Sequence, residues 1–147
     1  MRATKIFDWH CAHLLEGHNG LCKNVHGHTY KLEVEVEGDL IFDDVSSEGM
    51  VIDFSDLKSI VKTEIVDKFD HALVLNHGDS GDAELYELAV KKGWKILRLP
   101  FRTTAENMAK WIYQTLNTQK RLTGDFRVVR IRLYETDTSY AEVSKND

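Results

Sequence analysis

The sequence contains little cysteine or proline and no long apolar run. It has two cysteines and one proline among 147 residues. Because two thiols in a reducing compartment usually stay free, we expect Cys11 and Cys22 to be unpaired, with a Cys11–Cys22 disulfide as the alternative. No apolar stretch approaches the ~20 residues of a membrane-spanning helix, and the N-terminus lacks the apolar core of a signal peptide. We therefore expect a cytoplasmic protein without a membrane partner.

An excess of basic residues is also absent. Lysine and arginine number 19 against 24 aspartates and glutamates, which gives a formal net charge of -5. Proteins that bind nucleic acid hold its phosphates chiefly with excess lysine and arginine, so nucleic acid is not an expected partner. The hydrophobic share of 42% and the length are ordinary for a soluble globular protein, and they predict one domain over residues 1–147.

What the sequence does contain is a pair of histidines separated by one glycine, with a cysteine four residues before the first of them. These residues are Cys22, His26, Gly27 and His28. If the chain is extended here, side chains two positions apart share a face, so both imidazoles point the same way. A catalytic zinc site takes about three protein ligands, and His13 is the leading candidate for the third. The alternative is a packing or surface role, which is commoner for a lone histidine pair.

Alternating apolar residues predict the strands of the fold. We expect strands over residues 3–14, 29–36 and 95–99, and a last strand over residues 126–136. A return strand over residues 51–54 is expected to form an antiparallel hairpin with the second strand. In the first strand, one face carries Phe7, Trp9, Cys11 and His13, and His10 lies on the other face.

Apolar residues at three- and four-residue intervals predict three helices. The first begins at Asp53 or Ser55, and a second, short helix ends by Gly93. The third follows Thr103, where the Thr103 hydroxyl and the Glu106 carboxylate are expected to form a capping box. This order of strands and helices predicts an α+β fold with an antiparallel sheet.

Several separated motifs resemble the 6-pyruvoyltetrahydropterin synthase and 6-carboxytetrahydropterin synthase family. They are the Cys-x-x-x-His-Gly-His segment after His13, and residues 49–58, 69–76, 104–107 and 134–136. The resemblance implies the tunnelling fold, a four-stranded antiparallel sheet with two main helices on one face, here with a short helical insert. It also implies a homohexamer of two stacked trimers, with active sites at subunit interfaces.

The resemblance also implies roles for eight residues. Zn2+ would be held by His13, His26 and His28; the catalytic residues would be Cys22, Asp70 and His71; the substrate contacts would be Glu135 and Thr104. Zinc would act as a Lewis acid on a pterin triphosphate, the thiol would be the base, and the Asp-His pair would relay a proton. Without the resemblance, the Asp-His pair indicates a helix-end contact, and Glu135 indicates a cross-strand ion pair with Arg130 or Arg132.

Two reactions occur within this family. One converts 7,8-dihydroneopterin triphosphate to 6-carboxy-5,6,7,8-tetrahydropterin with release of acetaldehyde and triphosphate, in queuosine and deazapurine biosynthesis. The other eliminates triphosphate and keeps the carbon chain, in tetrahydrobiopterin biosynthesis. The three-residue interval between Cys22 and His26 resembles the carboxy-forming group, which we favour. A third interpretation is a pterin-binding module without catalysis.

Overall fold

A computed structural model describes residues 1–78, 81–118 and 126–147, and within these ranges the chain forms six strands and three main helices. The strands are β1 (Arg2–His13), β2 (His26–Gly38), β3 (Leu73–Asn76), β4 (Ile96–Leu99), β5 (Phe126–Thr136) and β6 (Ser139–Ser144). The helices are α1 (Phe54–Val61), α2 (Ala83–Lys92) and α3 (Ala105–Thr118). A π-helical turn (Lys62–Val66) and a short α-helical turn (Asp67–Phe69) continue α1. No helix in the described ranges is long and apolar enough to cross a bilayer.

The sheet is mixed, with the strand order β4-β3-β1-β2-β5-β6. Strands β1, β2, β5 and β6 pair antiparallel, whereas β3 pairs parallel with both β1 and β4. The expected four-stranded antiparallel sheet is therefore only part of the observed one. The difference arises because the chain after the first helical segment runs back along the edge of β1 and adds two parallel strands there.

Two details of the predicted strands are wrong. Residues 51–54 form no strand: Val51 and Ile52 are buried in irregular structure, and Asp53 caps α1, its carboxylate accepting the Ser55 amide at 2.7 Å. An apolar run between turns does not distinguish a strand from a buried helix approach. Residues 126–136 form a strand as predicted, but β6 follows it and supplies the fourth antiparallel strand instead.

The main core lies between one face of the sheet and the helices α1 and α3. Alternate residues of β2 (Tyr30, Leu32, Val34 and Val36) are fully buried there. Phe69, after α1, contacts Trp111 of α3 with ring centroids 5.9 Å apart, so both helical segments meet over this face. Each such buried side chain contributes roughly 1.5–3 kcal/mol, which is enough to fix the register of β2.

Helix α2 packs in a second, smaller cluster. It buries Ala89 against Leu14, Leu73 and Leu75, whereas Val74 belongs to the main core. Because successive strand residues face opposite sides, α2 covers the other face of the sheet at β3 and β4.

Elsewhere the face of β2 opposite the main core is charged. Its glutamates pair with arginines of β5, in the order Glu33–Arg132 at 3.8 Å, Glu35–Arg130, and Glu37–Arg127 at 3.4 Å. Arg2 of β1 adds a bond to the nearly enclosed Glu35 at 3.2 Å. A slip of one residue would put these charges into the apolar core, so they specify the pairing of β2 and β5 together with the core.

Candidate metal centre and active site

Three histidine side chains meet at the adjoining ends of β1 and β2. His13 stands opposite His26 in the antiparallel register, and His28 follows two residues later on the same face. One nitrogen of each imidazole lies within 4.8 Å of the others. The ring centroids are 4.6 to 5.2 Å apart. The strand pairing thus brings together the three side chains that were expected to hold a metal.

Backbone carbonyls hold two of the rings with one nitrogen facing the cluster. His13 Nδ1 donates to the carbonyl of Thr103 at 2.8 Å, and His26 Nδ1 donates to the carbonyl of Asn24 at 2.7 Å. Each Nε2 then carries a lone pair, the arrangement in which imidazole binds a metal. The Nε2 atoms of His26 and His28 are buried and have no hydrogen-bond partner in the described part of the chain. Buried nitrogens without partners fit a bound cation, and three imidazoles suit zinc.

Burial favours the neutral form of two of the imidazoles, His13 and His28. Burial lowers the pKa of His13 to about 4, against the opposing effect of its bond to Thr103. Burial also lowers the pKa of His28, which the Glu135 carboxylate partly offsets. Burial raises the pKa of Tyr30, whose hydroxyl lies 3.4 Å from His13 Nε2 and so remains protonated. Neutral imidazole is the form that coordinates a metal.

Glycine at position 27 allows the two strands to approach closely between the histidines. A Cβ there would lie 3.3 Å from the carbonyl oxygen of Cys11 on β1, closer than ordinary van der Waals contact. A larger residue would push the β1 backbone away from β2 beside the metal centre. The glycine of the histidine pair is therefore explained by strand spacing.

The carboxylate of Glu135, near the end of β5, approaches the same cluster. Its Oε1 lies 3.6 Å from His28 Nε2. The alternative expectation, an ion pair with Arg130 or Arg132, does not describe the structure, because these arginines pair with Glu35, Glu142 and Glu33. Glu135 thus belongs to the metal centre's surroundings.

The sequence matches a known protein family over nearly its whole length. The family model described as 6-pyruvoyl tetrahydropterin synthase matches residues 2–146. The chain is 45% identical to the 6-carboxy-5,6,7,8-tetrahydropterin synthase of Haemophilus influenzae over 141 residues, 96% of each chain. The chain belongs to the 6-pyruvoyl tetrahydropterin synthase family.

Solved structures show the same fold. An uncharacterized protein from Wolinella succinogenes superposes with a TM-score of 0.77 at 19% identity, covering 99% of this chain and 98% of that one. The 6-pyruvoyl tetrahydropterin synthase of Caenorhabditis elegans superposes with a TM-score of 0.67 at 20% identity, covering 98% and 94%. At these identities the likeness establishes the fold of the synthase family and nothing further.

In this family member, Asp70 and His71 form a hydrogen-bonded pair in the turn before β3. Asp70 Oδ1 lies 3.0 Å from His71 Nδ1 and also accepts the backbone amide of His10 at 3.2 Å. The His10 amide is the main reason that the pKa of Asp70 is lowered. The carboxylate therefore stays charged and can orient the imidazole of His71, which is exposed.

Cys22 lies in a short 3-10 turn (Leu21–Lys23) and is partly buried with a free thiol. Its carbonyl accepts the Leu15 amide at 2.8 Å and closes the loop between β1 and β2. In the described ranges no hydrogen bond or ion pair joins the Cys22 side chain to Asp70 or His71.

A cavity of about 630 Å³ lies beside the Asp-His pair. His71 lines it together with His10, Trp94 and Lys95, and of the three clustered histidines only His28 borders it. Its size falls within the range of small-molecule sites. The synthase family member thus has room for a small ligand beside His71.

The expected capping box at Thr103 is wrong. Helix α3 begins one residue later than that motif requires, and Thr104 accepts the Asn107 amide at 3.3 Å. Thr103 is instead fully buried, and its hydroxyl donates to the carbonyl of Leu14 at 3.2 Å. The sequence does not indicate which of two adjacent threonines caps the helix. Because Thr103 was assigned to the cap, its hydrogen bond to His13 was not predicted.

Proposed function

We propose that this chain is a zinc-dependent lyase that converts 7,8-dihydroneopterin triphosphate to 6-carboxy-5,6,7,8-tetrahydropterin, with release of acetaldehyde and triphosphate. The observation that carries the proposal is the set of three converging imidazoles beside a cavity. The relationship to the Haemophilus influenzae synthase and the Cys22-to-His26 interval support the carboxy-forming reaction over the pyruvoyl-forming one. The substrate class follows from family membership.

The metal would be held by His13, His26 and His28 through their Nε2 atoms. When bound there, zinc supplies Lewis acidity toward oxygen atoms of the substrate side chain. The carbonyls of Thr103 and Asn24 keep His13 and His26 in the orientation that presents Nε2. The near-complete burial of His13 keeps competing water away from that side of the centre.

The proton transfers would be made by Cys22, Asp70 and His71. As a thiolate, Cys22 takes a proton from a substrate carbon, and His71, held by the charged Asp70, delivers or relays a proton. Because Cys22 makes no such contact with Asp70 or His71 in one chain, this proposal places them at one site across a subunit interface. It therefore includes the homohexamer of two trimers that the family resemblance implies, a state that sedimentation velocity measures directly.

Glu135 would bind the amino-pyrimidinone edge of the pterin by accepting two hydrogen bonds. Its carboxylate is partly exposed and lies at the edge of the histidine cluster, so a pterin bound to it would place its side chain near the metal. Thr104 already accepts the Asn107 amide, so a pterin contact would use the hydroxyl proton that remains. In a cytoplasmic setting the product would enter queuosine and deazapurine synthesis.

The test is product analysis with 7,8-dihydroneopterin triphosphate, using zinc-loaded protein and protein treated with a chelator. We expect acetaldehyde and carboxytetrahydropterin in stoichiometric amounts from the loaded protein, no turnover after chelation, and recovery on adding zinc. A pyruvoyl product would establish the tetrahydrobiopterin reaction instead. Binding of substrate without turnover by fully loaded protein would establish a pterin-binding module and overturn the lyase.

A further inference from the structure

Lys95 makes contacts that nothing in the proposed reaction requires of it. It lies just before β4, in the segment between β3 and α3 whose function the family motifs leave open. Its ammonium donates to the carbonyls of Asp67 and Asp70, both at 2.6 Å. Its own carbonyl accepts the Leu73 amide at 2.9 Å. Lys95 thus forms hydrogen bonds to the chain both before and after His71.

That turn needs to be held in place. His71 has φ 60, the single non-glycine residue with positive φ in the described ranges. A left-handed conformation costs roughly 1–2 kcal/mol for such a residue and persists only when its surroundings determine it. On the β1 side, the His71 amide donates to the carbonyl of His10 at 2.7 Å. On the other side, the ammonium of Lys95 fixes the carbonyl directly before His71.

We propose that Lys95 is a positioning residue for the Asp70–His71 pair. It holds the turn in place at the cavity that both Lys95 and His71 line. The inference rests on the proposed function, because it assigns Lys95 to the proton relay of that reaction. It gives the residue just before β4 a role at the active site, since Lys95 supplies the ammonium there.

Two simpler roles make different predictions. As a helix-end cation, Lys95 would stabilise the carbonyls at the end of the α1 segment and affect only folding stability. As a direct substrate contact, since it also lines the cavity, it would affect substrate binding more than turnover. Two of its three ammonium hydrogens are already bonded to carbonyls, which favours positioning over substrate binding.

The experiment compares Lys95→Met, Lys95→Arg and, as matched control, Lys92→Met, which changes an exposed lysine at the end of α2. Methionine keeps the apolar stem and removes the donor. In zinc-loaded Lys95→Met we expect kcat to fall roughly tenfold with KM within about twofold, because charged hydrogen bonds to the turn are lost. Lys95→Arg should restore most of kcat, and Lys92→Met should match the unchanged protein.

Amide hydrogen exchange gives a readout that does not depend on activity. The His71 amide should exchange roughly tenfold faster in Lys95→Met and recover in Lys95→Arg. Unchanged exchange, unchanged kcat, or a rise in KM alone would each overturn the positioning role. If the unchanged protein does not turn over the substrate, the proposed function fails. The exchange result then still decides whether Lys95 holds the turn.

Discussion

At the scale of single residues, the candidate centre depends on imidazole nitrogens that are buried without a hydrogen-bond partner. The Nε2 atoms of His26 and His28 are buried in this state, and His13 is almost completely enclosed. Buried polar atoms without partners normally cost about 1–3 kcal/mol each. A folded protein tolerates such atoms where a bound ligand supplies the missing interaction. These two nitrogens therefore support a cation site at the histidine cluster.

The thiol of Cys22 is predicted to be required for turnover and dispensable for metal binding. We expect Cys22→Ala to lower kcat by roughly 100-fold or more, the usual contribution of a general base, with zinc content unchanged. Cys11→Ala is the matched control, because burial raises the pKa of the Cys11 thiol to about 12 and keeps it protonated. Kinetics and metal analysis check both variants. Zinc loss in Cys22→Ala would make the thiol a ligand instead.

In metal-free protein, the titration of His13 is predicted to affect stability. Burial lowers its pKa from 6.5 to about 4. Between these values the unfolded chain binds more protons than the folded one. Stability is therefore complete above pH 6.5 and falls toward pH 4, by an amount on the order of 3 kcal/mol.

Two measurements on the chelator-treated protein check this prediction. An NMR titration of the His13 ring should have a midpoint well below 6.5, and urea unfolding at about pH 5 and 7 should show the loss of stability. In a His13→Gln variant the pH dependence in this window should be weaker. A midpoint near 6.5 would show that His13 is solvated.

At the scale of elements, the site is made by the pairing of β1 and β2 and by the chain that enters α3. The strand pair supplies the three imidazoles, and the approach to α3 supplies the Thr103 carbonyl behind His13. The two neighbouring threonines thus have different structural roles. Thr103 packs behind the metal centre, whereas Thr104 begins the helix.

Replacement of the two threonines is predicted to separate these roles. Thr103→Val removes the bond to the Leu14 carbonyl, so we expect a loss of about 1–3 kcal/mol in unfolding free energy and roughly tenfold weaker zinc binding. Thr104→Ala removes a helix cap and should cost about 1 kcal/mol without changing zinc affinity. Urea denaturation and competitive zinc titration measure both quantities. Equal zinc affinities in the two variants would remove Thr103 from the support of His13.

Local pattern explains which elements the sequence predicts correctly. Alternation along β1 and β2 predicts the shared face of His13, His26 and His28, because strand geometry has a period of two. The same reasoning fails at residues 51–54, where the burial of Val51 and Ile52 comes from tertiary packing and not from a strand. Local sequence patterns also do not predict contacts between residues that are distant in sequence. The Thr103 carbonyl is 90 residues from His13, and the parallel pairing of β3 depends on how the whole chain returns.

At the scale of the whole molecule, a bound metal would join the end of β1 to the start of β2, after a loop that has little regular structure. The same end of the sheet carries β3, the Asp-His turn and Lys95. Binding at this point links the loop, the sheet edge and the segment before α3. Metal occupancy should therefore affect the stability of the entire fold.

Zinc removal is predicted to lower the melting temperature. A ligand that binds only the folded state at about 1,000 times its Kd adds about 4 kcal/mol, which for a chain of this length raises the melting temperature on the order of 10 °C. Calorimetry with and without chelator measures the shift. In His26→Ala both the shift and the bound zinc should disappear, whereas exposed His77→Ala should retain both. Stoichiometric zinc in His26→Ala would exclude His26 as a ligand.

The ion pairs between β2 and β5 also affect how the protein should be handled during purification. Concentrated buffer ions screen the exposed rim pairs of this face, such as Arg127 with Glu37, but reach the enclosed Glu35 poorly. High ionic strength is therefore a mild treatment for this fold. Loss of the Arg130 side chain would destabilise the fold much more. The enclosed carboxylate of Glu35 would then have only Arg2 as an ion-pair partner.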